Sequence, residues 1–325
     1  MSVRGMSRWI AAFLCALAAP QGAQAQEAFP ARPVHVIVPF TPGTGADILA
    51  RVLGPKLSER WKVALVVENR TGATGNIGAE LVAKSPPDGH TLLLTATSFA
   101  TNPALTRTLP FDPVRSFAPL GLVATSALAV FSNPQVPAAS MRELIALAKR
   151  EPGKLHYGSP GSGGVQHLAM ELLKLETGTD LLHVPYRGLG GAMADVIAGH
   201  VQVMVSALQS AAPHVHSGKL RMLAVMSQQR AEAFPETPTL RELGLSELVV
   251  ETWYAAFAPA GTPEAAVSRI SADINTLLKD PSIRELLARQ GMHATGGTPQ
   301  QMADFLKREL ARWSRVVSAA KIKAD

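Results

Sequence analysis

From residue 34 onward, apolar positions alternate between two kinds of run. Val34 to Phe40 is short and almost wholly apolar, the pattern of a strand buried on both faces. After it Ile48, Leu49, Val52, Leu53 and Leu57 recur at helical spacing. Val63 to Val67 predicts the next strand, Gly75 to Lys84 a helix, and Thr91 to Ala96 a third strand. This β-α-β-α-β order predicts a parallel sheet with helices on its faces. The order then repeats. Ser140 and Glu143 form a capping box, followed by a strand at Leu155 to Gly158, a helix at His167 to Leu175, a strand at Leu181 to Val184 and a helix at Ala192 to Ala198. Val201 to Ser206 and Leu220 to Met226 are further strands.

Two longer apolar stretches, Leu120 to Phe131 and Val249 to Ala258, separate these blocks and read as strands that cross between two lobes, near Thr125 and Val250. A helix opening at Thr262-Pro263 aligns Val267, Ile270, Ile274 and Leu277. A second capping box, Thr298 with Gln301, opens a last helix that aligns Met302, Phe305, Leu306, Leu310 and Trp313. If these C-terminal helices return to the first lobe, residues 26–125 and 250–325 form one discontinuous α/β lobe and 126–249 the other. Two lobes on a hinge of crossing strands are built to close on a ligand.

The N-terminal segment differs from all of this. Arg4 and Arg8, the apolar run Trp9 to Pro20, and the small-x-small site Ala23-Gln24-Ala25 predict a signal peptide over residues 1–25 and an exported, periplasmic product. The apolar run is too short for a spanning helix. Cys15, the only cysteine, lies inside it, and Leu14 before it argues against lipid attachment, so the mature chain has no disulfide framework. The net charge of +6 is mild, and no basic cluster interleaved with aromatics points to nucleic acid.

Open α/β sheets bind ligands beyond the carboxyl ends of their strands, so the loops after strands carry the candidate chemistry. The first runs through Phe40, Thr41, Pro42, Gly43, Thr44, Gly45 and Ala46 to Asp47. Its glycines let the backbone approach a ligand, and the helix it opens presents free N–H groups and a positive dipole end that suit an anion. Asp47 stands either as a cap of that helix or as a direct binding group. The matching loop, Gly158 to Gly164, includes Gly161, Ser162 and Gly163 and leads into the helix of His167. Two such loops, one per lobe, can grip one anion from both sides. Neither contains Lys or Arg, so backbone N–H groups and hydroxyls are expected to hold the anion, with salt bridges secondary.

Other chemistries fit less well. Gly43-x-Gly45 lacks the third glycine of the dinucleotide fingerprint, and Gly161 to Gly164 lacks the Lys-Ser/Thr ending of a phosphate loop. A serine hydrolase using Ser162 is the alternative to a binding protein, but Pro160 stands where the nucleophile elbow needs glycine. His214 and His216, without cysteine or a nearby acid, read as surface residues and not as metal ligands. His167 and His183 read as capping or packing groups. No cofactor is expected.

These loops sit among further motifs: Pro39-Phe40, Glu68-Asn69-Arg70, Gly75-Asn76-Ile77-Gly78-Ala79, Pro87-Asp88-Gly89-His90-Thr91-Leu92, Pro152-Gly153-Lys154-Leu155, Val184-Pro185-Tyr186-Arg187-Gly188, Gly218-Lys219-Leu220-Arg221 and Ala258-Pro259-Ala260-Gly261-Thr262-Pro263. In this order, over the whole mature chain, they resemble the Bug receptors, the solute-binding proteins of tripartite tricarboxylate transporters. The resemblance implies a Venus-flytrap fold whose loops Phe40 to Asp47 and Gly161 to Gly164 pinch a carboxylate, partly through ordered water. It also implies that Thr97, Ser98 and Ser206 face the cleft. Dicarboxylates, tricarboxylates, amino acids and aromatic acids are the implied ligand classes. The implied partner is a membrane permease, or a sensor, with the receptor a monomer and no enzyme. One departure stands out. The family commonly has a Gly-Gly pair where this chain has Gly43-Thr44-Gly45, so the Thr44 hydroxyl either adds a donor to the pocket or fills space. Arg70, Arg187 and Arg221 are candidate counter-ions, though a structural role is the favoured reading for Arg70 and Arg187.

N-terminal sequencing of the exported protein is expected to begin at Gln26, and a retained Met1 would contradict the signal-peptide reading.

Overall fold

Strand β1 (Val34–Val38) is followed by α1 (Gly45–Trp61), β2 (Leu65–Asn69), α2 (Asn76–Ala83) and β3 (Thr91–Ala96) in a computed structural model that describes residues 29–106, 108–186 and 189–322. The expected signal segment and Arg187 lie outside the described residues. β1 pairs in parallel with both β2 and β3, as the alternating pattern predicts. A short helix with no counterpart in the sequence reading, α3 (Ser98–Leu105), then leads into β4 (Phe117–Ser132). The second block runs α4 (Met141–Arg150), β5 (His156–Ser159), α5 (Val165–Thr177), β6 (Leu182–Pro185), α6 (Leu189–Ala198), β7 (Val203–Ala207), α7 (Leu208–His216) and β8 (Arg221–Val225). Here β5 pairs in parallel with β6 and β7. The chain returns through β9 (Glu251–Pro259) and ends in α8 (Glu264–Leu278), α9 (Pro281–Arg289), the short β10 (His293–Ala294) and α10 (Pro299–Ala319). Among the described residues no helix is long and apolar enough to cross a membrane.

The capping signals behave differently. Thr298 and Gln301 close a full box on α10, each side chain accepting the other's backbone N–H at 3.1 and 2.8 Å. On α4 only half forms: Ser140 accepts from Glu143 N–H, but the Glu143 carboxylate takes the N–H of Ala139 and not that of Ser140.

β4 organises the molecule. Residues Phe117 to Ala127 pair antiparallel with β9, and Leu128 to Ser132 with β7 and β8. The ladder is continuous from β2 to β6, and β4 belongs to both halves, changing partners between Ala127 and Leu128. The chain recrosses at Val250, whose N–H bonds the Met226 carbonyl at 2.8 Å, just before Glu251 pairs opposite Ala127. Strand polarity then sets the site. β3 runs with β4 and ends at Ala96, opposite Tyr254. β7 runs against β4 and ends at Ala207, opposite Leu128. The carboxyl ends of β3 and β7 therefore face each other across Thr125 to Ala127.

The core is not divided as the strands are. On one face of the first half, Leu49, Leu53 and Trp61 of α1 pack with Ile270 and Ile274 of α8. On the other, a single cluster runs from Phe99, Phe117 and Phe257 through Trp253 and Trp313 to Tyr157, Leu168 and Leu172 of the second half. α10 makes this bridge, lying on α3 and β4 and reaching α5. Its Glu309, 7% exposed, accepts from the indole N–H of Trp253 at 3.0 Å and of Trp313 at 2.9 Å. Arg312 donates to the carbonyls of Glu247 and Val249, and Arg315 pairs with Glu176. The last helix, expected to return to the first lobe, packs on both halves.

Glu309→Ala would leave two buried indole donors without an acceptor. Each such loss costs about 1–3 kcal/mol, so a stability loss of about 3 kcal/mol in urea unfolding is expected, and an unchanged midpoint would refute the bridging role.

Candidate functional site

The two glycine loops make the same turn. Gly43 has φ +83 and Gly163 φ +79, a region that favours glycine. The next residue is extended in both, Thr44 at φ −74, ψ 160 and Gly164 at φ −67, ψ 159, and acts as the N-cap of a helix. The third residue of each helix then reaches back to the glycine four positions before it. The Asp47 carboxylate accepts the Gly43 N–H at 2.9 Å, and His167 Nδ1 accepts the Gly163 N–H at 2.9 Å. Asp47 therefore neither caps the helix nor stands open to a ligand; it is 2% exposed and holds the loop shut from beneath. His167 does the same in the second half, a capping role of the kind its position suggested.

The consequence lies in the amides left over. A helix begins with N–H groups that have no intrahelical acceptor, and a Ser or Thr N-cap normally satisfies one. Thr44 does not: its hydroxyl donates to the Thr41 carbonyl at 2.8 Å, and it makes no side-chain cap. Gly164 has no side chain to offer. The N–H groups of Gly45 and Ala46 in α1, and of Val165 and Gln166 in α5, have no acceptor among the described residues. Of the loop glycines, Gly43, Gly161 and Gly163 spend their amides within the loops.

Neighbouring strands brace both turns. Asn69, at the end of β2, donates to the Phe40 carbonyl at 3.0 Å and to Asp47 at 2.9 Å. Arg51 donates to Asp47 at 3.0 Å and to Asn69 at 3.1 Å. Burial pushes the Asp47 carboxyl up, but the bonds from Arg51, Gly43 and Asn69 outweigh it and hold the group below the usual carboxylate range. Behind the second turn, Ser159 donates to the Gly161 carbonyl at 2.9 Å and meets His183 Nε2 at 2.7 Å. His183 stacks on His167 with ring centroids 3.9 Å apart. Burial pushes both imidazoles down, His183 to about 4 with the adjacent His167 adding to the effect. Tyr157, Glu171 and Lys174 close the rear of this cluster.

The remaining expected residues divide. Thr41, Gly43 and Ser162 are exposed, and Phe40, Ser98 and Gly161 half-buried, on the rims of the loops. Thr97 is buried, its hydroxyl taking the Trp253 N–H at 2.9 Å, which ties β3 to β9. Ser206 is wholly buried, its hydroxyl 3.4 Å from the Ala207 carbonyl. Both hydroxyls are turned into the sheet. Arg70 is bound to Glu68, and Arg221 to the carbonyls of Val136 and Ala138, so both serve the scaffold. His216 stacks on Phe234. No described base is bonded to Ser162. Missed in the sequence reading is Tyr254, whose ring lies over Gly45 so closely that a Cβ there would stand 2.8 Å from Cε1 and nearer still to the hydroxyl. Glu251, bonded to Thr125 where the strands cross, was also missed; burial pushes its carboxyl up.

Residues 49–322 match the family model described as the tripartite tricarboxylate transporter family receptor. Protein BugT of Bordetella pertussis is 36% identical over 311 residues, covering 94% of each chain. Rpa4515 of R. palustris, solved with adipate, is 33% identical with a TM-score of 0.76 over 91% of this chain and 99% of its own. MatC of Rhodopseudomonas palustris, solved with bound malate, is 29% identical with a TM-score of 0.72 over 89% and 100%.

The stacked imidazoles set a pH window. The folded chain keeps them neutral while the unfolded chain protonates near pH 6.5, so between about 6.5 and about 4 the unfolded state binds more protons. Stability is full above that window and falls as pH drops through it. Thermal melts at pH 7, 5.5 and 4.5 should show this decline, and His183→Phe should flatten it; a wild-type profile already flat would overturn the assignment.

Proposed function

Because the chain belongs to the tripartite tricarboxylate transporter receptor family, we propose that its twin turns are the two jaws of a carboxylate site. It is a solute-binding receptor of the two-lobed α/β type. The observation that carries the reading is the repeated turn, which leaves the first-turn amides of two helices without acceptors. A carboxylate supplies the acceptors these amides lack, and hydrogen bonds to a charged group contribute about 1.5–3 kcal/mol each, so a few hold an anion without a counter-charge.

In this reading residues 26–125 with 250–325 form one lobe and 126–249 the other, and closure bends β4 and β9 where they exchange partners. The first-turn amides bind directly, with Thr41, Ser98 and Ser162 as rim hydroxyls. Thr44, Asp47, Thr97 and Ser206 shape the jaws from behind. Adipate and malate in the similar structures support a dicarboxylate as ligand. The receptor works in the periplasm as a monomer, delivers its ligand unchanged, and hands it to a membrane permease of the tripartite kind. A hydrolase has no support here, since Ser162 lacks a bonded base among the described residues.

A panel of dicarboxylates that includes adipate and malate tests this by thermal shift and calorimetry. A ligand at about 100 times its Kd stabilises the fold by about 2.7 kcal/mol. Gly163→Val is expected to abolish binding, because the residue has φ +79 and its Cβ would lie 2.8 Å from Leu105 Cδ1. Affinity should change little with salt, since buried uncharged donors are weakly screened. Absence of any stabilisation across the panel would contradict the reading.

A further inference from the structure

Successive side chains of β9 point to opposite faces. Trp253 turns toward α10 and Glu309, and Tyr254 turns the other way, over the first turn of α1. Tyr254 is 9% exposed, and its phenol oxygen lies against Gly45 at the mouth of the first jaw. Only a glycine at position 45 admits this approach.

The chain has three tyrosines, and the other two have their hydroxyls satisfied by carboxylates: Tyr157 donates to Glu171 and Tyr186 to Asp195, both at 2.5 Å. Tyr254 has no hydrogen-bond partner among the described residues. Burial pushes its phenol up to about 12, so it stays protonated and acts as a donor across the physiological range. The turn it lies against, at Gly45, offers first-turn amides that are donors as well. The Tyr254 ring is nearly buried while its hydroxyl is not sealed from outside, so the donor is open to an arriving acceptor. The carboxylate of Asp47, in the same turn, is already engaged by Gly43, Arg51 and Asn69. No described residue supplies the acceptor, and a ligand can.

We infer that Tyr254 is a ligand-contacting residue that donates its hydroxyl to an oxygen of the bound carboxylate beside the first turn of α1. This rests on the carboxylate reading above and adds to it a side-chain contact from the crossing strand. The ligand is thereby gripped from β9 as well as from the loops, so occupancy is felt directly by a strand that joins the two halves. It also sets a selection rule: a ligand must present an acceptor at this point, and a group that offers only N–H donors there is rejected.

Tyr254→Phe keeps the ring over Gly45 and removes only the hydroxyl. With the panel dicarboxylate that most stabilises the parent as probe, calorimetry should show Kd weakened about ten- to a hundredfold, the size of one hydrogen bond to a charged group. The unliganded variant should melt no lower than the parent, because the lost hydroxyl had no partner in the protein. Unchanged affinity overturns the inference and leaves the carboxylate site standing. A lower melting temperature of the unliganded variant also overturns it, whatever happens to binding, since it shows that the hydroxyl serves the fold. A parent that binds no member of the panel overturns the carboxylate reading and this inference together.

Discussion

The first-turn amides of a helix must find acceptors, and in α1 and α5 the chain withholds the usual ones. A hydroxyl at the N-cap would satisfy them, yet Thr44 turns its oxygen to the Thr41 carbonyl and Gly164 has none. An acidic or imidazole group in the first turn would also soften the positive end, yet Asp47 and His167 both reach back to the loop glycine. The same backbone solution thus appears in both halves with different chemistry, a carboxylate in one and a neutral imidazole in the other. What remains are two outward-facing sets of donors, held rigid from behind and lacking any formal cation. In the proposed site these donors suit an anion with oxygens on both sides.

The rest of the fold keeps these two sets in register. β4 is a single strand shared by both halves, so the carboxyl ends of β3 and β7 are brought to one place by pairing alone. Thr97 then fixes the end of β3 to the Trp253 backbone, and Trp253 is fixed in turn to Glu309 of α10. Because the apolar cluster under α10 runs through both halves, opening cannot separate two independent cores. β4 and β9 exchange partners between Ala127 and Leu128 and around Val250.

Much of this was legible in the sequence because it is periodic or local. Alternating apolar runs place nearly every strand, glycines at 43 and 163 mark the turns, and the motif order identifies the family. The helices that escaped notice have physical reasons. α3 and α7 are short, each carries an internal proline, Pro103 and Pro213, and their small residues give no clear stripe. α9 opens on Pro281, which reads as a break unless the Asp280 cap before it is recognised. What spacing could not give is tertiary direction. Asp47 looks like any first-turn acid, and only its bonds show that it faces the loop. Thr97 and Ser206 sit at the expected strand ends, but their hydroxyls turn into the sheet. Tyr254 lies in an apolar strand where sequence offers only core as a reading, and the two-residue periodicity that sends it toward Gly45 becomes meaningful once β9 is paired with β3. Glu309 was hidden likewise, because its two indole partners lie 56 and 4 residues away.

In the proposed site an anion sits between the first turns of α1 and α5 and is held by uncharged donors. A crystal structure of the chain with its most stabilising dicarboxylate tests it most directly. The account predicts a carboxylate within about 3 Å of the backbone N–H groups of Gly45 and Ala46, with the first turn of α5 closing from the other side. A carboxylate found paired to an arginine side chain, or bound anywhere other than between these two turns, would contradict it.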